Sequence, residues 1–539
     1  MYASEKTRLL ALSSLYNFVT ICPIFMSAYV PNTAESVIKQ YLTIAIYGSG
    51  PLSDSDVTAM EYIWSFYVAE MYVGICISAV LFTRAADKYG RRKVMLITMI
   101  LEVPFHIMQA IARDIHCWPL LMIGRLLSHM GLGILVTTGP LVMNEIADKS
   151  FRGRTGATFT TFMLLGPLFA GVLGLKKVLG TVKLWPWLYA IPGIWSFIGV
   201  FVIWPYPETP VQLASQTVLD ENELAKSNYD SPISKTKAVN GYGVENDYYA
   251  SRDLPKDDVE HARDKVMASL WFYRRSTNQV TAVFQEAKAS RLEKMEQKQT
   301  SLFQKLKQWY GDWNVRPSIK LLHMITISRA FCGFEVISLY STYIFEYAGY
   351  SSSVAQYLTL LLKVVMLIAV FTSFFTIDQL GRRVVITIFG PILIFFLLVV
   401  VCIRATPPYI QGPIIVVSLC IIIFCTPAGI SPMRFTVIPE LFPHNYRQLA
   451  KADNVLATSV VETVQLVFFY AFFNNCGYMS FMMFLVPQCL SVPYLIWKLP
   501  ETSGKSTDEI LAELNRYRRS PKGDKLSLVA KENEGYQLI

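Results

Sequence analysis

Runs of roughly 20 apolar residues recur along most of this 539-residue chain, and that is the length needed to cross the hydrocarbon core of a bilayer. Twelve can be drawn. Six lie at 9–30, 61–83, 94–112, 117–143, 155–175 and 184–205, and six more at 318–345, 354–377, 384–404, 413–438, 453–473 and 478–498. Composition agrees: 53% of residues are hydrophobic, 17% are charged and the mean hydropathy is +0.36. Soluble domains carry about 25% charged residues. The sequence therefore predicts an all-α, polytopic membrane protein. The first run follows Lys6 and Arg8 and leads into no small-residue cleavage pattern, so it reads as a transmembrane helix rather than a signal peptide.

The formal net charge of +9 raises the question of nucleic acid. Lys and Arg, however, sit in loops between apolar runs, where they orient the chain in the membrane, and no nucleic-acid recognition module is present. Loop 84–93 carries Arg84, Lys88, Arg91, Arg92 and Lys93; loop 144–154 carries Lys149, Arg152 and Arg154; loop 378–383 carries Arg382 and Arg383. Alternate loops such as 31–60 and 346–353 are poor in base. The basic loops and both termini are therefore expected in the cytoplasm, with Lys176, Lys177 and Lys183 dissenting. Nine scattered cysteines without a Cys-x-x-Cys pair read as small buried hydrophobes, not as metal ligands or a disulfide framework. Cys117 and Cys476 lie near outer loops, and no other feature supports a bond between them.

Four regions follow: an N-terminal six-helix half (1–205), a polar linker (206–317), a C-terminal six-helix half (318–498) and a polar tail (499–539). Within the linker, 216–255 has a disordered composition. Val259, Ala262, Val266 and Leu270 then recur at helical spacing, predicting amphipathic helices on the cytoplasmic face across 257–308. Too few apolar residues remain there for a soluble catalytic core.

The halves repeat three motifs. Asp87-x-x-Gly90-Arg91-Arg92 returns as Asp378-x-x-Gly381-Arg382-Arg383. Glu145 with Arg152 returns as Glu440 with Arg447, and Pro207-Glu208-Thr209 returns as Pro500-Glu501-Thr502. Each return falls 291 to 295 residues downstream, which marks a duplicated architecture of the kind secondary transporters use.

The Asp-x-x-Gly-Arg-Arg loops resemble those of the major facilitator superfamily. Further motifs resemble its sugar porter branch, the facilitative glucose transporter type. They are Gly124-Arg125 opening the fourth span, Glu145 with Arg152-Gly153, Pro207-Glu208-Thr209-Pro210, and Tyr340-Ser341-Thr342-Tyr343-Ile344-Phe345-Glu346 closing the seventh. Pro439-Glu440-Leu441-Phe442-Pro443 and Leu499-Pro500-Glu501-Thr502-Ser503-Gly504-Lys505 complete the set. The resemblance covers about 9–215 and 257–510. It implies a major facilitator fold of twelve helices in two six-helix halves with a cytoplasmic helical linker. It also implies a cytoplasmic gating network of Asp87, Gly90, Arg91, Arg92, Arg125, Glu145, Arg152, Glu208, Asp378, Gly381, Arg382, Arg383, Glu440, Arg447 and Glu501. Exposed ion pairs contribute only ~0–1 kcal/mol each, so such a latch is tunable. The family often places an Arg where Val211 stands, so one contact is expected to be missing from the first copy.

The solute site departs from that family. Sugar hydroxyls donate and accept, and the family meets them with amides and aromatics. Counted from the nearest motifs, its fifth-span Gln is Thr160 here, and its seventh-span Gln pair and Asn are Arg329, Ala330 and Glu335, ahead of Tyr340. Its eighth-span Asn is Met366, its tenth-span Glu and Trp are Pro427 and Phe435, and its eleventh-span Asn-Trp is Thr458-Ser459. A charge at mid-membrane costs roughly 2.5–3.5 kcal/mol on insertion scales. Arg329 and Glu335, six residues apart, share no face of a continuous helix and are not expected to pair. Glu462 or Glu70 is the expected partner of Arg329. Three roles stay open for these charges: an interhelical ion pair, contact with a charged group of the solute, or snorkelling of Arg329 to the surface.

The first span has no acid at the position where proton symporters of this branch carry an Asp; Ile24 stands there. That favours a uniporter, with the membrane-buried carboxylate of Glu70 keeping a proton-coupled symporter open. The expected solute is small, polar and organic, a hexose or related sugar. A charged or zwitterionic solute, or a sensor or scaffold that has lost transport, are the alternatives. No nucleophile–base pair, metal cluster or phosphate loop suggests an enzyme or a cofactor. The membrane is expected to be the plasma membrane or an endosomal one. Two short signals bear on traffic: Glu5-Lys6-Thr7-Arg8-Leu9-Leu10, and Tyr536-Gln537-Leu538-Ile539, which trafficking adaptors would read through Tyr536 and Leu538.

Overall fold

The computed structural model describes residues 5–82, 85–148, 151–215, 256–274, 302–502 and 507–516, with Lys505 and a few positions between 280 and 287. Among the described residues, nine helical stretches are long and apolar enough to cross a membrane, and a tenth is the pair α1 (Glu5–Thr20) and α2 (Cys22–Thr33), bent by 44°. Pro23 opens α2 and supplies no backbone donor, which accounts for a break there. The 17-residue α9 (Trp187–Ile203) is apolar but shorter. The stretch Leu449–Lys498 would run about 75 Å as one straight helix, far beyond a bilayer core. It breaks at Gly477, whose φ is +58°, into α18 (His444–Cys476) and α19 (Met482–Lys498). Both pieces pack on α12 (Arg316–Ala330). Among the described residues, α9 and this division add two shorter apolar segments to the ten that pass as spans by length and composition.

In the first half, α4 (Asp54–Leu81) and α6 (Arg91–Ile111) pack on α7 (Trp118–Ile146), α2 packs on α8 (Arg152–Leu173), and α6 on α9. Between α2 and α4 runs α3 (Glu35–Tyr47); α5 (Ala85–Tyr89) forms the turn before α6. In the second half, α14 (Ser352–Leu380), α15 (Arg382–Val401) and α16 (Pro408–Cys425) pack together, and α19 lies on α15 and α12. Here α12 continues, across a break at Phe331–Gly333, into α13 (Phe334–Tyr347). The halves meet along α4 against α18, α8 against α14, and α2 against α13.

The linker helices divide between the halves. On α10 (Lys256–Arg274), Val266, Leu270 and Tyr273 are buried, with Ser269 donating to the Glu208 carbonyl (2.7 Å) and Tyr273 to that of Pro207 (2.8 Å). On α11 (Leu302–Gly311), Trp309 joins the apolar core of the second half beside α17 (Met433–Leu441) and α20 (Thr507–Arg516). Residues 216–255 and the Tyr536–Ile539 signal lie outside the described residues. Leu9 of the N-terminal signal is buried within α1. All nine cysteines, Cys117 and Cys476 among them, are free thiols.

Candidate functional site

The repeated motifs assemble at one end of the molecule, and their logic is that of a helix N-terminus. Gly90 and Gly381 adopt φ of +101° and +85°, a region that favours glycine, immediately before α6 and α15. The first amides of a helix have no internal partner and carry a partial positive charge. Glu208 fills that role at α6, accepting from the Arg92 N–H at 3.0 and 3.2 Å. Glu501 does so at α15, accepting from the N–H groups of Arg382 (2.9 Å) and Arg383 (3.1 Å). A Cβ on Gly90 would stand 2.4 Å from the Glu208 carboxylate, and one on Gly381 2.6 Å from that of Glu501.

Arginine side chains then tie each motif together. Arg91 reaches Asp87 (3.0 Å) and Glu145 (3.0 Å), and Arg382 reaches Glu440 (3.3 Å). Arg447 bonds the Phe442 carbonyl and Thr507, both at 3.0 Å, and Arg152 opens α8. These pairs join residues of one half. The contact expected to be missing at Val211 is supplied next door: Gln212 accepts from Arg91 and donates to the Asp87 carbonyl. Arg274 of the linker, which sequence reasoning missed, caps the C-terminus of α7 through the carbonyls of Glu145, Ile146 and Ala147 and pairs with Asp148 at 2.9 Å. A cation belongs at a helix C-terminus. The Asp378 side chain lies outside the described residues.

Arg125 does not join this network. It lies two turns into α7 from the helix end opposite Glu145, fully buried, 2.7 Å from Glu70, and donates to the carbonyls of Tyr67, Ser27 and Ala28. Its role is to staple α2, α4 and α7, and it also claims Glu70. A second fully buried acid of the first half, Glu102, accepts from Ser128 at 2.6 Å and faces His106 at 3.3 Å.

At the seam between the halves lies a buried charge cluster. Arg329 contacts Glu462 at 3.0 Å, as expected, and also Glu335 at 2.8 Å, which corrects the expectation that these two stay apart. The break at Phe331–Gly333, with Gly333 at φ +77°, removes the continuous helix on which that expectation rested. Tyr29, from the opposite half, donates to Glu335 at 3.0 Å. The other positions carried over from the family separate. Thr458, one turn from Glu462, is buried with its hydroxyl unpartnered. Tyr340 is buried and donates to the Leu466 carbonyl (3.1 Å), Met366 is core, and Thr160 bonds the Gly156 carbonyl of its own helix (3.5 Å). The Phe435 side chain is outside the described residues. Missed altogether was Lys363, 2% exposed on α14, donating to the Ser338 carbonyl at 2.6 Å with its ammonium 4.8 Å from the Tyr29 ring centre. A lone lysine in the apolar run 354–377 was the available signal.

Toward the end away from the repeated motifs, polar contacts bridge the halves. Asn32 of α2 donates to the Ser338 carbonyl (2.6 Å) and Ser341 (2.9 Å), and accepts from the Thr342 N–H (3.2 Å) and hydroxyl (3.1 Å). Gln356 donates to the Thr33 carbonyl (2.9 Å), and Lys39 to Tyr470 (2.7 Å). Outside this bridge lies a cavity of about 310 Å³, with Glu35, Lys39, Glu346 and Gln356 in its wall.

Comparison with known proteins places this architecture. Residues 16–261 and 255–514 match the family described as "Sugar (and other) transporter". The chain belongs to this family. It is a membrane transporter protein of the major facilitator type, not an enzyme. It is 24% identical over 455 residues to facilitated glucose transporter member 2 of solute carrier family 2 from Gallus gallus, covering 84% of this chain and 76% of that one. It is likewise 24% identical over 484 residues to member 3 from Ovis aries, covering 89% and 87%. Among solved structures, the inward-open xylose transporter XylE from E. coli superposes with a TM-score of 0.67 at 17% identity, over 94% of this chain and 99% of that one. At that identity the likeness shows the fold alone.

Proposed function

We propose that the chain carries a small polar organic solute of the sugar class, a hexose or related sugar, by alternating access as a uniporter. The observation that carries this reading is one-sided closure. Asn32 and its neighbours join the halves at one end, while at the other end the two described pairs of the duplicated motifs, Arg91–Glu145 and Arg382–Glu440, each lie within one half. Rocking of one half against the other would break the first set and let Asp87, Glu145, Arg152, Asp378, Glu440 and Arg447 meet across the seam. Two such packings need to differ by only a few kcal/mol. The facilitated glucose transporters among the relatives support the solute class. Ile24, in place of an acid, supports uniport. In this reading the termini, α10 and α11 are cytoplasmic, and the membrane is the plasma membrane, with endosomal cycling through adaptors that read Tyr536 and Leu538.

The test is uptake by purified protein in liposomes. Saturable entry of labelled glucose or fructose, unchanged by a pH gradient, is the expected result. Uphill accumulation driven by protons would replace uniport by symport, for which Glu70 held by Arg125 is the favouring observation. No saturable flux of any solute, from protein with a cooperative melt, would leave a sensor or scaffold.

A further inference from the structure

We infer that the cavity outside the Asn32 bridge is a second binding site, for a neutral saccharide of monosaccharide size, and that its occupant holds that end of the molecule shut. This goes beyond the transport reading above and rests on it only for the orientation in the membrane. At about 310 Å³ the cavity stands at the lower end of the roughly 300–1,000 Å³ of small-molecule sites. Its wall comes from both halves. Glu35, Lys39 and Gln40 stand on α3, Tyr343 and Glu346 on α13, Gln356 on α14 and Tyr470 on α18. Bonds between the halves hold the wall together. Gln356 donates to the Thr33 carbonyl (2.9 Å) and accepts from the Lys176 N–H (3.2 Å), and the Lys176 ammonium donates to the Ser352 hydroxyl (2.7 Å). The site is therefore complete only while this end is closed.

The chemistry of the wall selects the ligand. Of the three donors on the Lys39 ammonium, one serves the Tyr470 hydroxyl at 2.7 Å. The Glu346 carboxylate and the Gln40 amide are exposed and, among the described residues, make no side-chain hydrogen bond or ion pair. Glu61 of α4 lies in the field of Lys39 and accepts from Asn474. A cation would be set against Lys39, and an anion against Glu346 and Glu61; a neutral ligand is repelled by neither. Burial pushes the Glu35 carboxyl up to about 8, so near pH 7 it offers a donor as well. Donors and acceptors side by side match hydroxyl groups, which donate and accept alike. The rings of Tyr343 and Tyr470, stacked at 4.6 Å, add an apolar face. A ligand that binds only the closed form stabilises that form by mass action. Added from outside at high concentration, the sugar therefore holds its own carrier shut.

Two measurements with glucose test this: calorimetric titration of the purified protein, and initial uptake into sealed right-side-out vesicles over rising external concentration. The wild type should bind two molecules per chain, and its uptake rate should pass a maximum and fall at least two-fold beyond it. The double variant Gln40→Ala, Glu346→Ala, shown to be folded by its melting temperature, should lose one bound molecule and turn the uptake curve into plain saturation. Plain saturation in the wild type, with a stoichiometry that the variant leaves unchanged, overturns the inference and leaves the transport reading standing. Binding lost in the variant without any decline in wild-type uptake overturns the hold on the closed form. Tetramethylammonium bound in place of glucose, and lost in the variant, makes the cavity a cation site and overturns the saccharide. One glucose lost in the variant from a chain that transports nothing keeps the site and removes the transport reading. Neither binding nor uptake overturns both.

Discussion

At the scale of single residues, Arg329 holds the most consequential position. Its guanidinium is shared between Glu335 and Glu462 inside the membrane, and a pair so buried repays its desolvation only while both partners are present. Arg329→Met should therefore destabilise the protein by about 3–5 kcal/mol, seen as a lower melting temperature in detergent. Neutralising the stranded acids as well, with Glu335→Gln and Glu462→Gln, should recover much of the loss. A single variant that melts like the wild type would remove the cluster from the fold's support. The existence of a charged centre was legible in the sequence, since Arg329, Glu335 and Glu462 interrupt apolar runs. Its wiring was not. Pairing at a separation of six depends on a helix break, and only backbone coordinates show Gly333 turning the chain. Lys363 and Asn32 escaped notice because reading by family position examines the positions the family uses.

At the scale of elements, the duplicated motifs became intelligible only as helix termini. Sequence spacing identified the pieces and their twofold recurrence, and suggested arginine–carboxylate pairs. The structure adds that Glu208 and Glu501 face backbone amides, which explains why a glycine precedes each helix and why Pro-Glu-Thr recurs at a fixed distance. Removing the charge alone, with Glu501→Gln, should cost roughly 0.3–1 kcal/mol, the usual value of an anion at a helix N-terminus. Gly381→Ala should cost more. The backbone there, at φ +85° and ψ 158°, adds ~1–3 kcal/mol for a residue with a Cβ, and the new methyl must push the Glu501 carboxylate off the amides. Thermal melting of both variants should rank them in that order, and the reverse order would mean that the carboxylate is not held by the helix end. The spans themselves were legible because burial in lipid demands long apolar runs. The bend in the first span and the break before α13 were not, because hydropathy averages across them.

At the scale of the whole molecule, the question is what sets the balance between the closed end and its open counterpart. Asn32 is one contributor: losing its bridge to α13 should cost the closed form about 1–3 kcal/mol. Asn32→Ala should widen the distance between spin labels at Gln40→Cys and Ser353→Cys, one in each half, in a protein stripped of its native cysteines. A second contributor is protonation. Glu35 stands at the head of α3, outside the spans, in the wall of the cavity that the two halves share. Burial pushes its carboxyl up to about 8; Lys39 opposes the shift and Glu346 from the opposite half reinforces it. In the open form, with Glu35 in water, the ordinary value near 4.5 returns. The raised value belongs to the closed form, so closure is fully supported below about 4.5, loses support as pH rises from there through about 8, and loses no more beyond. Lys39 acts with the opposite sign, its ammonium held below the ordinary 10.5 by burial, while Glu35 and Glu61 pull it back up. Its window opens below 10.5 and favours closure as pH rises. Between pH 5.5 and 7.5 the Glu35 contribution should dominate, so the labelled distance should be shorter at the lower pH. Glu35→Gln should flatten the response, holding the short distance at both pH values. A distance that ignores pH in the wild type, or one that still follows pH in Glu35→Gln, would take this carboxyl out of the gate.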